Sequence, residues 1–152
     1  MNSNINIISR KIKHKLIEAF NNTENRFKLD VEINNSFVSA NVNGTLFINY
    51  NGEKISENLI KNNKVFFLKR LVNIEVIGVI KEINKNRIND YVDFIINTIS
   101  GLKTAEYTGQ SYILPSAVNI IEPDEYENYR FKVSFVCPVD LNFNGENTDA
   151  NN

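Results

Sequence analysis

The stretch from Val65 to Lys81, VFFLKRLVNIEVIGVIK, constrains the fold more than any other part of this sequence. It is rich in β-branched and aromatic residues and too long for a short edge strand. Leu71, Val72, Ile74, Val76, Ile77, Val79 and Ile80 leave both of its faces apolar over part of the length. A strand that is apolar on both sides needs cover on both sides, which places it in the middle of a sheet. We expect one long central strand, bent at Gly78, where glycine permits a bulge.

The other segments supply the rest of that sheet and its cover. YRFKVSFVCP, Tyr129 to Pro138, alternates Tyr129, Phe131, Val133, Phe135 and Cys137 with Arg130, Lys132 and Ser134. A period of two predicts a strand with one buried and one wet face. Ala117 to Ile121 predicts its antiparallel hairpin partner, joined through the acidic turn Glu122 to Asn128. Phe27, Leu29, Val31 and Ile33 predict another half-buried strand, and GTLFINY, Gly44 to Tyr50, a further one closed by an Asn51-Gly52 turn. The polar segment Ser56 to Lys64 reads as a loop over the sheet edge.

Two helices are expected. Ile5, Ile8, Ile12, Leu16 and Phe20 recur at helical spacing, with Asn21 and Asn22 as a stop. Val92, Ile95, Ile96, Ile99 and Leu102 form a second stripe, opened by Asn89 as N-cap with Asp90 in the first turn and closed by Gly101. The order α-β-β-β-α-β-β gives an α+β class: a mostly antiparallel sheet with two helices packed on one face. Residues 1–140 are expected to form a single domain. Residues 141–152 are polar, with disorder expected after Phe143.

Composition narrows the function. A chain of 152 residues, 42% of them hydrophobic, suffices for one domain with a core. A net charge of −1 lacks the basic excess with which proteins neutralise duplex phosphates, so no specific nucleic-acid binding is expected. Cys137 is the one cysteine; it has no disulfide partner within the chain and reads as a small buried hydrophobe. No apolar run is long enough to span a membrane, and the first fifteen residues lack the layout of a signal peptide, so a cytosolic protein is expected. The N-x-S/T matches at Asn21, Asn34 and Asn43 follow from abundant asparagine.

Little points to chemistry. His14, the single histidine, sits among lysines, and no glycine-rich phosphate loop or nucleophile motif is present. Neither catalysis nor a metal or other cofactor is expected. Two charge clusters stand out instead. Arg10, Lys11, Lys13 and Lys15 make one side of the first helix basic, while Glu122, Asp124, Glu125 and Glu127 make the last hairpin turn acidic. In a closed ring of identical subunits, a basic patch on one copy meets an acidic patch on the next. Exposed ion pairs are each worth only about 0–1 kcal/mol, so such a ring also needs apolar contacts or added strands. The wet face of the last strand, Arg130 and Lys132, is a further candidate for a partner.

Three segments together resemble a known family: GTLFINYNG, the long strand followed by YVDFIINTISGL, and the closing YENYRFKVSFVCPV. Their order and spacing are similar to those of the tail-terminator proteins of Mu-like contractile-tailed phages and phage-tail-like particles. Gly44, Tyr50, Gly52, Gly101, Leu102, Tyr129, Phe131, Phe135 and Pro138 take the family's pattern positions. The resemblance covers residues 5–140. It implies a structural role without catalysis. Such proteins form a ring, typically of six subunits, at the head-proximal end of the tail tube. The ring stops tube and sheath polymerisation and docks the neck or collar, and DNA passes through its lumen. The implied setting is the bacterial cytoplasm during assembly and then the particle. Two alternatives stand beside it. One is a neck or completion protein one ring nearer the head. The other is a small ligand-binding domain with Tyr107, Gln110 and Tyr112 around a pocket.

Overall fold

The computed structural model describes residues 3–33, 43–103, 112–123 and 129–142. The elements run α1 (Ser3–Phe20), β1 (Asp30–Ile33), β2 (Gly44–Lys61), β3 (Lys64–Ile80), α2 (Ile88–Ile99), β4 (Leu114–Ile121) and β5 (Tyr129–Asn142). The five strands form one sheet in the order β1-β2-β3-β5-β4. Only the β1–β2 pair is parallel; the others are antiparallel. The α+β class and the central place of β3 are as expected from the residues.

The core lies between the sheet and the two helices. Ile8, Ile12, Leu16 and Phe20 bring the apolar stripe of α1 onto it. Tyr91, Val92, Ile95 and Ile99 do the same for α2, where Tyr91 was not foreseen. Full burial of such side chains stabilises by about 1.5–3 kcal/mol each. Val72, Ile74, Val76 and Ile80 of β3 and Phe131, Val133, Phe135 and Cys137 of β5 meet them from below, all fully buried. The alternation in β5 therefore resolves as read, and the strand runs on to Asn142, paired with the start of β3.

Several local expectations give way. The chain does not turn at Asn51-Gly52. Gly52 takes a φ of 85°, and the register against β3 slips between Tyr50 and Glu53. An αL-permissive glycine serves a bulge as readily as a turn. The segment Ser56 to Lys64 is not a loop: β2 continues to Lys61, and Lys61 faces Lys64 across a two-residue turn. Asn62 and Asn63 have φ of 53° and 65°, the pair of positive values that a type I′ hairpin requires. This part of the hairpin forms an arm whose residues from Glu53 to Ser56 are exposed on both faces, so no apolar alternation was needed to build it.

Gly78 makes no bulge; β3 stays in register there with both neighbours. Its missing side chain instead leaves room for the ring of Phe131, which a Cβ would meet head-on. Phe27 does not start a strand. It lies in a short 3-10 turn, Asn25–Phe27, and stacks on Tyr91 at 4.3 Å, while Phe20 and Phe94 complete the aromatic cluster. Asn89 is not the N-cap of α2, because a 3-10 turn over Glu82–Arg87 leads directly into the helix. Gly101, with φ of 86°, ends α2 as expected.

Asn43 and Asn84 are buried polar staples. The Asn43 side-chain amide donates to the carbonyls of Asn25 and Lys28, both at 2.9 Å, tying the turn before β1 to the start of β2. The Asn84 amide donates to the carbonyls of Arg26 and Asn43 at 3.4 and 3.5 Å. The side chain that matched a glycosylation signal is thus consumed inside the fold.

Candidate assembly surface

Strand β4 is the most open element of the sheet. All eight of its residues are exposed, although it carries Leu114, Val118, Ile120 and Ile121. The cause is topological. Val118 and Ile120 face the same side as their partners Val133 and Phe131, which are fully buried under the helices. The helices leave Val118 and Ile120 uncovered, so this side of β4 stands as an apolar ledge.

Natural edge strands are usually blunted by proline, lysine, bulges or short length. Here Pro115 and a register shift between Pro115 and Ala117 blunt only the first end. Ala117 to Ile121 carries no proline and no charge.

The opposite edge of the sheet is β1, which α1 flanks. Between them lies a cleft of ≈ 490 Å³ lined by Lys13, Ile17, Phe20, Lys28, Asp30 and Glu32, among others. Ile17 is 40% exposed in it. The basic side of α1 is therefore not one uniform patch. Arg10 and His14 are exposed. Lys11 donates to the carbonyl of Lys103 at 2.8 Å, and Lys15 lies 3.5 Å from Glu18. Lys13 belongs to the cleft. Of the acidic group, Glu122 is exposed directly after β4; Asp124, Glu125 and Glu127 lie outside the described residues. The structure thus places Lys13 at the β1 edge and Glu122 at the β4 edge of one sheet, with Lys11 held to Lys103 between α2 and β4.

Arg130 and Lys132 lie on the sheet face that the helices leave uncovered, and both are half-buried. Lys132 is 3.3 Å from the Glu75 carboxylate, which also accepts from the Asn51 amide at 2.8 Å. Phe47 and Thr45 are buried on this same face. The face is a paired, partly apolar surface more than a solvated one. A second ion pair, Arg70 with Glu53 at 3.0 Å, ties the base of the arm together.

Among the described residues, no group of three or more His, Cys, Asp or Glu is placed to hold a metal ion. Burial pushes the Cys137 thiol up to about 12, the opposite of what a nucleophile needs. Of the residues proposed around a ligand pocket, Tyr112 is exposed, and Tyr107 and Gln110 lie outside the described residues. No described helix is long and apolar enough to cross a membrane.

No family model and no curated protein matches this chain. Among solved structures, the chain is similar to the sheath/tube terminator, in its extended state, of PVC, an extracellular contractile injection system. That similarity has 10% sequence identity and a TM-score of 0.45, over 90% of this chain and 57% of the other.

Proposed function

We propose that the chain is a structural, non-enzymatic assembly protein that caps the head-proximal end of a contractile tail. Six copies form a ring that ends tube and sheath polymerisation and offers its outer surface to the neck or collar. The observation that carries this reading is the open β4 edge. A strand with four large apolar residues, all exposed, is a surface that only further chain can bury. The tail-terminator resemblance of Gly44 to Gly52, the β3–α2 pair and the β4–β5 hairpin supports a tail end as the kind of assembly. The tube and sheath proteins and the neck are its partners, and no cofactor enters.

The arm of β2 and β3 suits the same role. β5 accompanies it as far as Phe67, and beyond that β2 and β3 continue alone from Ile60 to Val65 as a tip that can reach a neighbouring subunit. Its ladder is closed by the Asn62-Asn63 turn and braced by Arg70–Glu53. Deleting the gene from a producing cell is the test. A terminator's loss gives tails of unregulated length, whereas tails of normal length that fail to join their heads assign the chain to the neck.

A further inference from the structure

We infer that β4 of one copy docks in the cleft between α1 and β1 of the next, so that one sheet and one helical layer continue from subunit to subunit. This rests on the ring reading and names the contact that builds it.

Four observations converge. First, the two free edges complement each other in shape. At β4 the helices leave Val118 and Ile120 44% and 56% exposed on the side they cover elsewhere. At the other edge a cleft opens between α1 and β1, with Ile17 exposed in its wall. Seating the ledge in the cleft brings Val118 and Ile120 beneath the Ile17 and Phe20 end of the next copy's α1.

Second, the strand directions suit. β1 is parallel to β2, and tracing the antiparallel pairs through β3 and β5 sets β4 opposite in direction to β1. Joining the two edges with the helices on the same side makes an antiparallel pair, the commoner ladder. Third, charge does not oppose the contact: the cleft carries Lys13 and Lys28 beside Asp30 and Glu32, and β4 ends at the exposed Glu122. Fourth, the contact joins different surfaces of the two copies. It is therefore heterologous and closes as a ring when its rotation allows.

The test is sedimentation of the full chain, with Ile17→Asp and Ile120→Asp alone and mixed. Both residues are exposed, so folding is retained, and circular dichroism checks it. Each substitution is expected to weaken self-association about thirtyfold or more, the loss typical of a central apolar contact. The equimolar mixture is expected to form a one-to-one dimer and nothing larger, because each variant keeps one intact surface. Variants that assemble like the wild type overturn the inference. So does a mixture that stays monomeric, or a wild type still monomeric at about 1 mM. None of those results moves the chain from the tail end, which particle imaging reads separately. A chain missing from the tail end sinks the terminator reading while leaving the docking measured in solution intact.

Discussion

Tyr91 is fully buried against Phe27, and its hydroxyl has no hydrogen-bond partner among the described residues. A buried donor without a partner costs about 1–3 kcal/mol, so Tyr91→Phe is expected to hold or raise the melting temperature. Asn43→Ala does the reverse. It strips a partner from the Asn25 and Lys28 carbonyls, and a loss of about 1–3 kcal/mol in chemical denaturation is expected. Cys137 gives a pH dependence. Burial raises its folded pKa from 9.0 to about 12, so the folded chain keeps a proton that the unfolded chain releases. Its contribution is intact below about pH 9 and declines by up to about 1.4 kcal/mol per pH unit above that, until about pH 12. Melts at about pH 8 and about pH 10 should diverge more for the wild type than for Cys137→Ala. Asn43 and Tyr91 were not legible in the sequence as structural residues. A buried amide or hydroxyl is set by which backbone groups arrive beside it, and that information is tertiary.

At the scale of elements, Gly78 and Phe131 test the packing of β3 on β5. A methyl at Gly78 runs into the Phe131 ring, so Gly78→Ala is expected to cost about 1–3 kcal/mol. Phe131→Leu in the same chain should recover part of that loss, a coupling that a double-mutant cycle reads directly. The elements that face the core were legible because their periods are local. Ile8, Ile12, Leu16 and Phe20 repeat every four residues, and Phe131 to Cys137 every two. The arm was not, because β2 is held there by its ladder to β3 and a turn, and its exposed residues Glu53 to Ser56 carry no apolar period. Asn51-Gly52 misled for a related reason. It marks a positive φ, and a bulge uses that as well as a hairpin end.

For the whole molecule, the apolar residues of Ala117 to Ile121 predicted a strand and its pairing, while its exposure emerges only from the fold. Its apolar side chains call for cover, and among the described residues the helices leave them exposed. That mismatch is the observation on which the proposed assembly rests. The uncovered sheet face is a separate matter. Because Lys132 pairs with Glu75, reversing Lys132 to Glu places two carboxylates together and is expected to cost about 1 kcal/mol even before assembly is affected. If tails still terminate normally when Arg130 and Lys132 are both reversed, that face meets solvent and not a partner. Where the chain sits in a particle is read by averaged electron-microscope images of intact tails. A ring of this protein at the head-proximal end of the tail tube is the expected result; particles with correctly ended tubes and no copy of the chain there would contradict it.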